Sequence, residues 1–136
     1  MSFEIYVQAY SEGKQFGLPL NEIFHLFGDY VSKISPVLWK VCYDAQNNCE
    51  IHVSLNDGSE SEISSLTIHR PCSDIRLWTS LFEIMGFGHV VLYFPGSRVL
   101  LRDKESLAHL PVEMVNTLGS NIVSNVEELR NELSVA

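Results

Sequence analysis

Residues 37–68 read VLWKVCYDAQNNCEIHVSLNDGSESEISSLTI, and their pattern decides the fold. Val37, Trp39, Val41 and Tyr43 alternate with Leu38, Lys40, Cys42 and Asp44. A period of two marks strands with one buried face. Residues 44–48, DAQNN, supply a five-residue turn. Placing Tyr43 opposite Cys49 then sets Val41 against Ile51, Trp39 against Val53 and Val37 against Leu55. Every apolar side chain shares one face in that arrangement, which is the condition that fixes a register. Asp57-Gly58, within NDGSESE, signals a second turn, after which Leu66 and Ile68 oppose Val53 and Ile51. The expectation is a three-stranded antiparallel meander.

Upstream, Phe3, Ile5, Val7 and Ala9 alternate with Glu4, Tyr6, Gln8 and Tyr10, which predicts a half-buried strand. SEGKQFG makes a turn. Pro19 then opens a helical stretch whose Leu20, Ile23, Phe24, Phe27 and Val31 share a face, with Gly28 in its last turn and Ser35-Pro36 as its end. Downstream, His69-Arg70-Pro71-Cys72 leads into a helix that Ser73 or Asp74 caps. Its stripe is Ile75, Trp78, Leu81, Phe82 and Met85, and Gly86 and Gly88 stop it, one of them in a left-handed conformation. At helical spacing, the Trp78, Phe82 and Met85 set reads as core rather than as a cofactor box. HVVLYF, residues 89–94, is apolar nearly throughout and predicts a strand covered on both faces, closed by Pro95-Gly96.

The last third predicts a short strand over residues 99–102 and a helical turn from Asp103 to Leu110. A helix follows Pro111, with Val112, Val115 and Leu118 on one side and Gly119 as its stop. Another strand covers residues 121–124, and Asn125 with Glu128 starts a final helix carrying Val126, Leu129 and Leu133. No repeat, low-complexity stretch or linker interrupts the chain. The expected fold is a single α+β domain over residues 1–136, a mainly antiparallel, mixed sheet with helices packed on one face and residues 90–94 in its middle.

The chain has 136 residues, 46% of them hydrophobic, enough for one core without covalent staples. Seventeen acidic side chains against 9 basic ones give a net charge of −8. That balance argues against binding nucleic acid or an anionic membrane, since both require a cationic surface, and it favours a protein partner with a basic surface. The N-terminal MSFEIYVQAY has no basic segment leading into an apolar one, which predicts no signal peptide. The longest wholly apolar run, residues 90–94, is far too short to span a bilayer. Cys42, Cys49 and Cys72 form an odd, sparse set, read as free thiols in a reducing cytoplasm.

Four groups of residues could carry chemistry. Cys72 stands just before a helix, where backbone N–H groups favour a thiolate, with His69 and Arg70 close in sequence. The competing account makes Cys72 a small filler in a strand-to-helix connection. Cys42, Cys49 and His52 are spaced for a hairpin, but the register puts Cys49 on the opposite face from the other two, so no metal site is expected. On the outer face of the meander, Lys40, Cys42, Glu50, His52, Ser54, Ser65, Thr67 and His69 come together, His52 opposite Thr67 and Glu50 opposite His69. A carboxylate beside two histidines suits acid–base work or binding, and equally a solvated sheet face. Finally, no Lys or Arg occurs between Val41 and His69, whereas Asp44, Glu50, Asp57, Glu60 and Glu62 all do. These acids either keep a sheet edge soluble or make a field that speeds docking of a cationic partner.

The segment HRPCSDIRLWTSLFEIMGFGHVVLYFPG, residues 69–96, resembles a family of small bacterial proteins of uncharacterised activity, with an HRPC-D-RLW helix followed by a G-x-VVLYFPG strand. FEIYVQAY and GLPLNEIFHLFG are similar to that family's N-terminus, so the resemblance covers most of the chain. It brings no established catalytic residues with it. In size, acidity and α/β make-up the chain also resembles immunity proteins of bacterial toxin systems, which implies a cytoplasmic protein that plugs the active site of a cognate toxin. The expected function is therefore non-enzymatic binding: an immunity protein that occludes a toxin such as a nuclease through Asp44, Glu50, Asp57, Glu60 and Glu62, without cofactor or metal. A small hydrolase or transferase using Cys72, His69 and Arg70 is the alternative, and a subunit of a larger assembly is a third.

Overall fold

The alternating stretch forms three strands of a ten-stranded sheet. The computed structural model describes residues 4–56 and 59–134. Phe3 and the Asp57-Gly58 turn lie outside the described residues, as does the side chain of Leu133. In chain order the elements are β1 (Glu4–Ser11), β2 (Lys14–Gln15), β3 (Leu18–Pro19), α1 (Leu20–His25), β4 (Val31–Ser35), β5 (Leu38–Cys42), β6 (Asn48–Leu55), β7 (Glu62–His69), α2 (Ile75–Ile84), β8 (Val90–Tyr93), β9 (Val99–Leu101), α3 (Val112–Leu118), β10 (Ser120–Ile122) and α4 (Val126–Ser134). The main path runs β10-β9-β8-β1-β7-β6-β5-β4, with β2 paired to β1 and β3 to β7. Among the described residues only β9 and β10 pair in parallel, so the sheet is mixed and mostly antiparallel, as its sequence patterning predicts.

The meander has four strands rather than three. Gly28, at φ +64°, ends the α1 region and turns the chain, so Val31 enters an edge strand instead of extending a helix. The β5–β6 register also differs: Val41 faces Cys49 and Trp39 faces Ile51, a shift of two residues from the sequence expectation. Asp44 causes it. One of its carboxylate oxygens accepts from the backbone N–H groups of Gln46 and Asn47, each at 2.8 Å, and the Tyr43 N–H donates to the Asn47 carbonyl at 2.9 Å. This Asx turn is tighter than a five-residue loop. An even shift leaves every side chain on its expected face, and Trp39, Val41, Ile51, Leu66 and Ile68 are wholly buried. Val37, expected to face Leu55, is instead exposed in the β4–β5 turn. The β6–β7 pairing of Ile51 with Ile68 and Val53 with Leu66 follows the expectation.

On the helix side of the sheet, α1, α2 and α4 cover one continuous core. Asp74 caps α2 by accepting from the Arg76 N–H, as the sequence predicts. The buried stripe of α2 is Leu77, Trp78, Leu81 and Ile84, while Ile75 is exposed and Phe82 is only half-buried. Ser80 is tolerated on this stripe because its hydroxyl donates to the Leu26 carbonyl at 3.0 Å. The expectation of helices on one face holds for these three. The other face of β8 and β9 is covered separately: Val91, Val99 and Leu101 alternate with Val90, Leu92 and Leu100 and pack under α3 and the 3-10 turn Lys104–His109. Within α3 the covering residues are Met114 and Val115, whereas Val112 and Leu118 are exposed. At α4, Glu128 N–H donates to the Asn125 side chain at 2.9 Å and the Glu128 carboxylate accepts from Ser124 N–H at 2.7 Å, a reciprocal cap.

These burial differences set a stability test. Ile84→Ala is expected to cost about 2–5 kcal/mol and Trp78→Ala about 3–5 kcal/mol. Ile75→Ala, at an exposed position, is expected to cost under about 1 kcal/mol. Urea denaturation of the three variants checks this, and a loss at Ile75 equal to that at Ile84 would mean that α2 presents a different face to the sheet.

Candidate functional site

Half of the second sheet face carries no helix. There the polar residues of β5, β6, β7 and β1 stand in rows set by the register. One row is Lys40, Glu50, His69 and Glu4; the next is Leu38, His52, Thr67 and Tyr6, continued by Tyr93 on β8. The sequence places Glu50 beside His69 and His52 beside Thr67, and the structure agrees. It adds a diagonal contact: His52 Nδ1 and His69 Nε2 are 3.0 Å apart, with the rings edge to face. His69 Nδ1 in turn lies 3.7 Å from a Glu4 carboxylate oxygen. The result is a carboxylate–imidazole–imidazole chain on the open face.

Beside it lies a hollow of about 620 Å³, whose lining includes Lys40, Asn48, Glu50, His52, His69 and Arg70. That volume lies within the range of small-molecule sites. Arg70 holds its backbone at φ +49°, a left-handed conformation that costs energy for a residue with a side chain. Glu4 escaped the sequence reading because it lies 65 positions before His69 in the chain and meets it only through the β1–β7 pairing. The available signal was the alternation of β1, which shows that Glu4 faces the polar side but not which strand lies next to it.

Cys72 is not part of this hollow. Its side chain is buried in the helix-side core with Cys49. Ile68 points into that core, and His69, the next residue, points to the open face. The sheet therefore stands between Cys72 and the His69–Arg70 pair, and the arrangement considered for a cysteine nucleophile is not assembled. Among the described residues no hydroxyl or thiol hydrogen-bonds either imidazole of the His52–His69 pair. Cys42 is exposed and Cys49 buried, on opposite faces of the β5–β6 hairpin. No group of three or more His, Cys, Asp or Glu side chains among the described residues is placed to hold a metal ion.

The acidic residues do not form one patch. Asp44 lies in the β5–β6 turn, Glu60 and Glu62 lie in or beside the β6–β7 turn, and the eight residues of β6 separate the two turns. At about 3.4 Å per residue that is roughly 25 Å, beyond the screening length of physiological salt. Glu50 alone sits on the open face between them, and Asp57 lies outside the described residues. Asp44 is also a turn-closing residue, its carboxyl held below the usual range by hydrogen bonds from Asn47 and Gln46.

A second cluster occurs at the start of α2. Arg76 Nε and Nη2 donate to the two carboxylate oxygens of Asp74 at 2.9 and 2.8 Å. The Arg76 guanidinium lies 4.8 Å from the ring centres of both Tyr30 and Tyr43. The Arg76 hydrogen bonds hold the Asp74 carboxyl down at about 2. The Asp74 carboxylate and the Arg76 guanidinium satisfy each other, and the pair fixes the helix start. Among the described residues, no helix is long and apolar enough to cross a membrane.

Burial, with the Cys72 thiol beside it, pushes the Cys49 thiol up to about 12. At neutral pH a thiol reagent is therefore expected to label Cys42 first, and Cys49 and Cys72 only after unfolding; mass spectrometry locates the adducts. Labelling of Cys72 as fast as Cys42 would contradict its burial. Asp74 yields a pH test. Its pKa is depressed on folding, so the stability it contributes is full above the ordinary carboxylate range and is lost as pH falls through about 2. Asp74→Ala is expected to cost about 1 kcal/mol at neutral pH, and thermal melts of the two proteins should converge in acid.

No family model, curated relative or solved structure matches the chain.

Proposed function

We propose that this chain is a non-enzymatic binding protein, an immunity protein of the cytoplasm that neutralises a bacterial toxin by occluding its active site. The observation that carries the reading is the uncovered half-face of the sheet. Antiparallel sheets often leave one face wet, but here the same face is sealed by α3 over β8 and β9 and bare over β7, β6 and β5. A bare, rigid, hydrogen-bonding platform beside a covered one is suited to receiving a partner. Supporting this are the net charge of −8, which favours a basic partner such as a nuclease, and the burial of Cys72, which leaves the cysteine-enzyme alternative without an exposed nucleophile.

Within this reading the acids divide their roles. Glu50 lies on the platform and contacts the partner directly. Asp57, Glu60 and Glu62, in or beside the β6–β7 turn, act during approach. Co-expression with the product of each neighbouring gene that arrests growth by itself tests the reading: rescue by this chain is expected, and its absence in every case overturns it. With the partner in hand, replacing Asp57, Glu60 and Glu62 by neutral residues should slow association at low salt and leave thermal stability nearly unchanged. Stopped-flow mixing at two salt concentrations reads both the rate and its salt dependence, and an unchanged low-salt rate would remove this turn from the encounter.

A further inference from the structure

The hollow beside the histidine pair gathers cations on an acidic molecule. The chain carries −8 overall, yet the charged lining of the hollow is Lys40, Arg70 and a single carboxylate, Glu50. Neither Lys40 nor Arg70 has an ion-pair or hydrogen-bond partner among the described residues, whereas Arg76 is held by Asp74 and Arg102 by the Phe82 carbonyl. Two unpaired cations thus converge on one concavity, and one of them, Arg70, is aimed by a strained backbone.

The histidine pair adds a further polar group. His52 Nδ1 faces His69 Nε2 at 3.0 Å, so Nε2 is the ring nitrogen of His52 left for a ligand. Glu4 on β1 and Glu50 on β6 flank His69. What a ligand meets is Lys40 from β5, His52 Nε2 from β6 and the Arg70 guanidinium beyond β7.

We propose that this hollow binds a phosphate monoester, with Lys40, Arg70 and His52 Nε2 as its polar contacts. Lys40 on β5, His52 on β6 and Arg70 just after β7 line one hollow, so a ligand there meets polar groups from three segments of the chain. A tetrahedral group with three terminal oxygens uses all of them, whereas a planar carboxylate offers two oxygens. The hollow lies on the face assigned above to the protein partner and shares Glu50 with it, but the proposal concerns a small ligand and does not depend on that partner.

The test is a titration of the full chain followed through the ring resonances of His52 and His69 by NMR. The probes are glycerol phosphate and inorganic phosphate, with succinate as the planar control. Saturable shifts with both phosphates and none with succinate are expected. Tighter binding of glycerol phosphate marks a phosphorylated small molecule as the natural ligand, and equal binding marks free phosphate; both support the site. Lys40→Ala and Arg70→Gly should each weaken binding at least tenfold. The glycine suits the left-handed backbone at position 70 and so preserves the fold. Lys14→Ala, on β2, should leave affinity unchanged. Absence of saturable shifts with either phosphate at about 10 mM, or binding indifferent to Lys40→Ala and Arg70→Gly, would overturn the proposal.

Discussion

The double pairing of β1 holds the structure together. One edge of this strand bonds to β7 and the other to β8, both antiparallel, and the two pairings run through the same residues, Tyr6, Val7 and Gln8. Without β1 the meander β4–β7 and the C-terminal group β8–β10 would be two small sheets. Joined, they present a continuous apolar surface on which Ile5, Val7 and Ala9 are wholly buried beside Ile68, Leu66, Val90 and Leu92. A buried strand must satisfy every N–H and carbonyl it carries, and two neighbours do that for β1.

Where β1 lies also decides the chemistry. Its polar side chains point to the second face, so the strand brings Glu4 to His69 and Tyr6 to Tyr93, with ring centres 5.2 Å apart. Its position also marks a boundary on that face. Beyond β1, at β8 and β9, the outward residues are Val91, Val99 and Leu101 and require cover, which α3 and the 3-10 turn provide. On the other side, at β7, β6 and β5, the outward residues are Thr67, His69, His52, Glu50 and Lys40, which water satisfies. One face therefore has a dry half and a wet half, and the wet half is where a ligand or a partner has access.

The helix side contributes rigidity. Asp74 anchors the start of α2, Ser80 ties it to the end of α1, and Trp39 packs edge-on against Phe24 at 5.0 Å between ring centres. These contacts fix the sheet from behind, so the spacing of the rows on the open face is set by backbone hydrogen bonds rather than by surface side chains. Residues on strands hold a geometry more closely than residues on loops. This favours the open face over the acidic turns as the place where specificity resides.

Local pattern alone determined much of this. The alternation of Trp39, Val41, Ile51, Val53, Leu66 and Ile68 fixed which side chains face inward, and the pairing of Glu50 with His69 and His52 with Thr67 followed from the hairpin that joins them. The caps at Asp74, Asp103 and Asn125 were equally legible, because a cap is a contact between residues two or three positions apart. Tertiary structure decided the rest. The β5–β6 register turned on how tightly Asp44 closes its turn, and both candidate registers set Trp39, Val41, Ile51 and Val53 on the same face, so hydrophobicity could not choose between them. Val31 left its helical pattern for an edge strand once Gly28 turned the chain. The exposure of Ile75 and burial of Ile84 depended on the angle at which α2 meets the sheet, which its own periodicity leaves open. Glu4 reached His69 only when β1 paired with β7. That contact spans most of the first half of the chain, and its energy comes from burying a whole strand, a quantity that no stretch of sequence read by itself contains.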